Sequence, residues 1–190
     1  MTAIANTTEQ LPAVMADKTL AGAGQYLTFV LGGELYALGI LNIKEIIEFG
    51  NVTEVPMMPA FVRGVINLRG SVVPVVDLMA RFGKDATQIA KRTGIVIVET
   101  TDKSDDKQQD IGIIVDAVNE VIDIGHQDIE PPPSFGTGIR PDFISGMAKR
   151  NDRFIILLNV DKVLSVDEMA ELSKTASENR KLLGLEHNGE

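Results

Sequence analysis

Gly64-Val-Ile-Asn-Leu-Arg69-Gly70-Ser71-Val-Val-Pro-Val-Val76-Asp77 is two short apolar runs either side of a glycine. Runs of this length, rich in Val and Ile and broken by a turn residue, form β-hairpins. Pro74 has no N–H to give to a ladder, so its place in the second run predicts an edge strand or a bulge. Asp77 can accept the first N–H groups of a following turn, which predicts a short helix over Leu78 to Phe82, ended by Gly83.

The same grammar extends in both directions. Upstream, Gln25 to Leu31 and Glu34 to Gly39 flank Gly32-Gly33 and predict another hairpin. Between the two hairpins, Asn42 to Ile47 reads as a helical turn opened by Asn42. Downstream, strands are expected at Gly94–Glu99, Asp110–Val115, Val118–Ile124, Ile144–Ala148 and Phe154–Asn159, with a polar loop over Thr100 to Gln109. Gly125 to Thr137 contains Pro131-Pro-Pro133 and reads as extended chain. From Asp167 to Leu183, Met169, Leu172 and Ala176 fall at helical spacing among charged residues, which predicts an amphipathic helix.

The segments repeat. Ala37 to Ile47 aligns with Gly112 to Ile122 at an offset of 75, bringing Glu45 onto Glu120. Pro59-Ala-Phe-Val-Arg-Gly64 aligns with Pro141-Asp-Phe-Ile-Ser-Gly146 at 82, and Val76-Asp77 with Val160-Asp161 at 84. Three matches in order imply two similar units. Short strands and tight turns without long helical crossovers imply a mainly β fold of two small barrels, since closure removes exposed edges. A groove between two such lobes is a natural place for a ligand or a partner.

Composition narrows the function. The chain has 190 residues and a net charge of −9, from 18 Lys and Arg against 27 Asp and Glu. That balance opposes binding to nucleic acid or to anionic membranes, where phosphates call for a basic face. There is no Cys, hence no disulfide and no thiol nucleophile, and no apolar run approaches the length of a membrane span. Met1 to Gly24 lacks the basic start and apolar stretch of a secretory signal, and a cytoplasmic location is expected. The two histidines, His126 and His187, stand without a nucleophile motif or metal-ligand spacing. The acidic run Asp102 to Asp110 lacks the central Gly and closing Glu of a calcium loop. No catalytic residue, metal or cofactor is expected. Arg69, at a hairpin tip between apolar strands, reads equally as an exposed turn charge and as an interface anchor. A barrel that binds a small molecule, or an enzyme without a recognisable motif, is the alternative of another class.

Pro59-Ala-Phe-Val-Arg-Gly-Val-Ile-Asn-Leu-Arg-Gly70, followed by Val73-Pro-Val-Val-Asp-Leu78, resembles the CheW family of chemotaxis coupling proteins. Gly112 to Val121 and Leu158 to Leu164 agree with it, and the likeness spans about 25–175. It implies two SH3-like five-stranded β-barrel lobes in a pseudo-duplicated arrangement, with short helices and a C-terminal helix. The first lobe is expected at about 37–90 and the second at about 95–160, completed by the first and last segments. A flexible arm over 1–24 and a tail over 176–190 flank them.

The resemblance also implies a non-enzymatic adaptor. It would join the cytoplasmic hairpin tip of methyl-accepting chemoreceptors to the regulatory domain of a CheA-type histidine kinase. A sister role in a non-motility or pilus-type pathway is the alternative. By position, the family's receptor groove falls on Ile40, Ile43, Glu45, Gly64, Arg69, Gly112 and Val115. Its kinase contacts fall on Val52, Glu54 and Val55 in the first half and on Glu130 and Phe135 in the second. The chain departs from the family pattern at Glu130, where a basic residue is usual.

Overall fold

The computed structural model describes residues 24–102, 106–133, 138–165 and 167–171, with 174, 178 and 182–184 beyond them. Eleven strands make up most of it: β1 Gly24–Leu31, β2 Glu34–Gly39, β3 Ile43–Glu48, β4 Val62–Leu68, β5 Ser71–Asp77, β6 Gly94–Asp102, β7 Lys107–Val115, β8 Ala117–Ile124, β9 Ile129–Glu130, β10 Ile144–Arg150 and β11 Arg153–Leu158. Two single-turn helices, α1 Leu78–Arg81 and α2 Val160–Val163, follow the equivalent strands β5 and β11. Residues 167–171 are helical, at the start of the expected C-terminal helix. The expected arm lies, Gly24 apart, outside the described residues.

The strands form two sheets, ordered β3-β6-β7-β5-β4 and β8-β1-β2-β11-β10-β9. They are the same arrangement twice. Val62 pairs with Val76 as Ile144 pairs with Leu158, and Val75 lies beside Gly112 as Leu157 lies beside Ala37. In each sheet the chain leaving the first edge strand turns back to pair with the last. Thr53 bridges Val65 of β4, and β9 pairs with Met147 and Ala148 of β10. This return draws each sheet round into a barrel-like lobe. The fold is mainly β, with two SH3-like lobes as the sequence implies.

Several details differ from expectation. The division of the lobes does not follow chain order: β6 and β7, at 94–115, join the first lobe's sheet, while β1 and β2 join the second. Each half of the chain thus lends its leading hairpin to the other half's sheet. Asn42–Ile47 is not a helical turn. A 3-10 turn at Ile40–Asn42 runs into β3, held by its ladder to β6. β5 is no edge strand, since it lies between β7 and β4. Val65, opposite Pro74, exchanges its backbone hydrogen bonds with Thr53 on the far side. The pair is therefore not hydrogen-bonded, and Pro74 faces β7 one residue before their ladder begins at Val75. The polar stretch Thr100–Gln109 largely continues the β6–β7 ribbon, paired out to Asp102 and Lys107. The third repeat match belongs at an offset of 82, because Asp77 and Asn159 are the N-caps of α1 and α2.

The largest core lies between the lobes. Phe29, Tyr36 and Leu38 of one sheet meet Val96, Val98, Ile111 and Ile113 of the other. Each lobe also has a smaller core of its own. Ile95 and Ile97 face the first lobe's interior while Val96 and Val98 face the seam, which is why β6 is apolar on both sides. Burying each such side chain stabilises the fold by about 1.5–3 kcal/mol. Among the described residues the seam between the lobes is packed.

One charged cluster spans the junction. The Arg81 guanidinium lies 4.9 Å from the Phe61 ring and 4.8 Å from the Phe143 ring, and its Nε donates to the Val163 carbonyl. Its Nη2 sits 3.2 Å from Glu168 Oε1, which also pairs with Arg140. Burial pushes the Glu168 carboxyl up, but hydrogen bonds from Arg140 and Arg81 outweigh it and hold it below its usual range.

Candidate functional site

The exposed outer face of the first lobe is built from β3, the turn before it and the β4–β5 hairpin tip. At that tip Arg69 and Gly70 have φ of 53° and 85°. Positive φ at both central residues matches the twist of paired strands, and Asn67 Oδ1 accepts the Gly70 N–H. The tip thereby carries Arg69 out to β3, where its Nη2 donates to Glu45 Oε2 at 2.9 Å. The Arg69 side chain remains 80% exposed.

Three apolar side chains on these elements lack cover. Leu41 is 81% exposed, Val72 73% and Ile46 46%. Beside them Lys44 bridges Glu99 at 3.0 Å and Asp110 at 2.8 Å, and those hydrogen bonds, Asp110 first, raise its pKa. An open hollow of about 380 Å³ lies between Lys44, Ser71, Val72 and Gln109.

Ile40, Ile43, Glu45 and Arg69, expected from the sequence, belong to this face; the two isoleucines are half-buried. Gly64, Gly112 and Val115 do not reach it, because all three are buried. A Cβ on Gly64 would come within 2.2 Å of the Thr53 carbonyl oxygen, where the chain closes the lobe. A Cβ on Gly112 would meet Ile95 Cγ2 at 2.7 Å, and Val115 is packed in the seam. These three shape the frame behind the face. Leu41, Lys44, Ile46 and Val72 are additional members. A register shift between Ile43 and Glu45 interrupts the alternation of β3, so strand periodicity alone does not assign Lys44 and Glu45 to opposite faces.

The second pair of segments sits at the closing edges. Glu54 and Val55 are exposed next to the Thr53 bridge, with Val52 half-buried on the first lobe's core. Glu130 is exposed on β9, opposite Met147. Thr53 and Glu130 hold equivalent places in the repeat, since Val65 and Met147 correspond. Phe135 lies outside the described residues.

Residues 25–168 match the family model described as CheW-like domain. The chain belongs to the CheW-like family. It is 32% identical over 152 residues to a chemotaxis protein CheW of Klebsiella aerogenes, covering 80% of this chain and 88% of that one. It is 36% identical over 143 residues to a chemotaxis protein CheW of Helicobacter pylori, covering 75% and 82%. Among solved structures it is similar to the scaffolding protein TtCheW of Thermoanaerobacter tengcongensis, with TM-score 0.66 and 38% identity over 74% of this chain and 87% of that one. This CheW-family chain thus shares its architecture with a protein described as a scaffold.

Proposed function

We propose that this chain is a non-enzymatic cytoplasmic adaptor that couples the hairpin tip of chemoreceptors to the regulatory domain of a CheA-type histidine kinase. The observation that supports the receptor half is the uncovered apolar set Leu41, Ile46 and Val72 on the elements that carry the Arg69–Glu45 pair. A helical tip can lay an apolar face on such a surface, and the charged pair can fix its register. Glu54, Val55 and Glu130, at the two closing edges, suit a kinase domain built on the same plan, because equivalent edges present equivalent backbone. Among the described residues no helix is long and apolar enough to cross a membrane.

Arg69→Glu tests the site. An exposed ion pair contributes about 0–1 kcal/mol to stability, so the variant should melt within a few degrees of the parent while pull-down by a receptor tip falls about tenfold or more. Full receptor binding with intact kinase control in a folded Arg69→Glu variant would refute the assignment.

A further inference from the structure

The two sheets differ where their parallel strands meet. In the second lobe Ile156 of β11 lies beside Tyr36 of β2, and the ladder continues with Leu157 beside Ala37. The same place in the first lobe holds Pro74 and Ile111, but there the ladder begins one residue later, at Val75 and Gly112. Pro74 has no N–H with which to extend it. The first lobe's ribbon is also the longer one: β7 starts at Lys107, whereas β2 starts at Glu34, the counterpart of Gln109. Ahead of the ladder, Ser71 to Val73 of β5 and Gln108 to Asp110 of β7 both line the open hollow of about 380 Å³. Neighbouring strands thus part company there around a gap.

Backbone groups face that gap. The Val65–Pro74 pair is not hydrogen-bonded, and pairs alternate along an antiparallel ribbon, so neither is the Asn67–Val72 pair. The Val72 N–H and C=O therefore point away from β4, toward β7. Alternate residues of β7 point the same groups back. Charge is uneven as well. Lys44, Glu99 and Asp110 are the charged residues lining the hollow. The Lys44 ammonium lies 3.0 Å from Glu99 and 2.8 Å from Asp110, one cation against two carboxylates. We infer that this gap is a docking site for an extended, basic segment of a partner protein, held beside β5 and β7 by backbone hydrogen bonds, with a Lys or Arg set against Glu99 and Asp110. Lys44 already shows how a cation seats between those carboxylates. A helix does not suit the gap, because its backbone groups bond to one another. The site borders the proposed receptor face at Val72 and stands whether or not that face meets a receptor.

The test adds a short Thr/Val peptide with one central Arg to the full-length protein. It is compared with a twin carrying Glu for Arg and a twin methylated on alternate backbone nitrogens. The Arg peptide should bind at least about tenfold tighter than either twin and slow amide exchange at Val72. Equal binding of all three, or no binding of the Arg peptide, would overturn the assignment. So would equal binding by an Ala-rich helical peptide with the same Arg, which would give the hollow to a helical partner. Two variants locate the site. Pro74→Ile restores the N–H that the second lobe uses, and Glu99→Gln removes one carboxylate. Each should weaken the Arg peptide severalfold or more while leaving pull-down by a receptor tip unchanged, so that this reading and the receptor reading fail separately. Undiminished peptide binding in both variants would overturn it.

Discussion

At the scale of single residues, two glycines show how differently a missing side chain can act. Gly64 has φ 151° and would place a Cβ 2.2 Å from a backbone oxygen. Gly112, without a positive φ, would place one 2.7 Å from the Ile95 Cγ2 methyl, a side-chain atom and not backbone. Gly64→Ala should therefore cost about 2–4 kcal/mol in urea unfolding, and Gly112→Ala distinctly less. Equal losses would show that the Thr53 strand yields as easily as a methyl group. Neither environment was legible in the sequence, where a glycine inside a strand and one at a turn look alike. Arg69 was legible as an exposed tip, since a lone charge before a glycine between apolar strands has few other places to go. Its partner Glu45 came from the family resemblance, because 24 residues separate them.

At the scale of elements, the caps set the strength of each lobe's closing helix. Asp77 is almost wholly buried and accepts from the N–H groups of Met79 and Ala80 and from both the N–H and hydroxyl of Thr87. Its counterpart Asn159, among the described residues, accepts only from the Lys162 N–H. Asp77→Ala leaves several buried donors unmet and should cost about 3 kcal/mol or more, whereas Asn159→Ala should cost about 1. Comparable denaturation midpoints for the two variants would contradict this account. Asp77 announced its helix because capping is local. The strand at Ile43–Glu48 did not announce itself, because its apolar spacing suits either period and the ladder to β6 that decides it lies some fifty positions along the chain. Pro74 misled for the same reason: whether its missing N–H matters depends on which neighbour it faces.

At the scale of the molecule, the repeat was legible but the exchange of hairpins was not, since each hairpin carries the same pattern whichever sheet it completes. The exchange makes the lobes interdependent. Probes placed one in each lobe should report coincident unfolding curves, as for a single cooperative unit; two separated transitions would contradict it. The Glu168 cluster adds a pH term. Its carboxyl is held below the usual 4.5, so its contribution is present above that value and is lost as acid protonates it in the folded state. Glu168→Gln should be less stable than the parent at pH 7, with the gap closing as the pH falls below 4.5; a gap that persists in acid would assign the loss to packing. The exchange also orders events during synthesis. Thr28 of β1 bonds to Glu120, 92 residues later, so the β1–β2 hairpin can close on itself long before its outer edge finds β8. Until then that hairpin presents a bare apolar face to the cell, and a chaperone has its longest opportunity there.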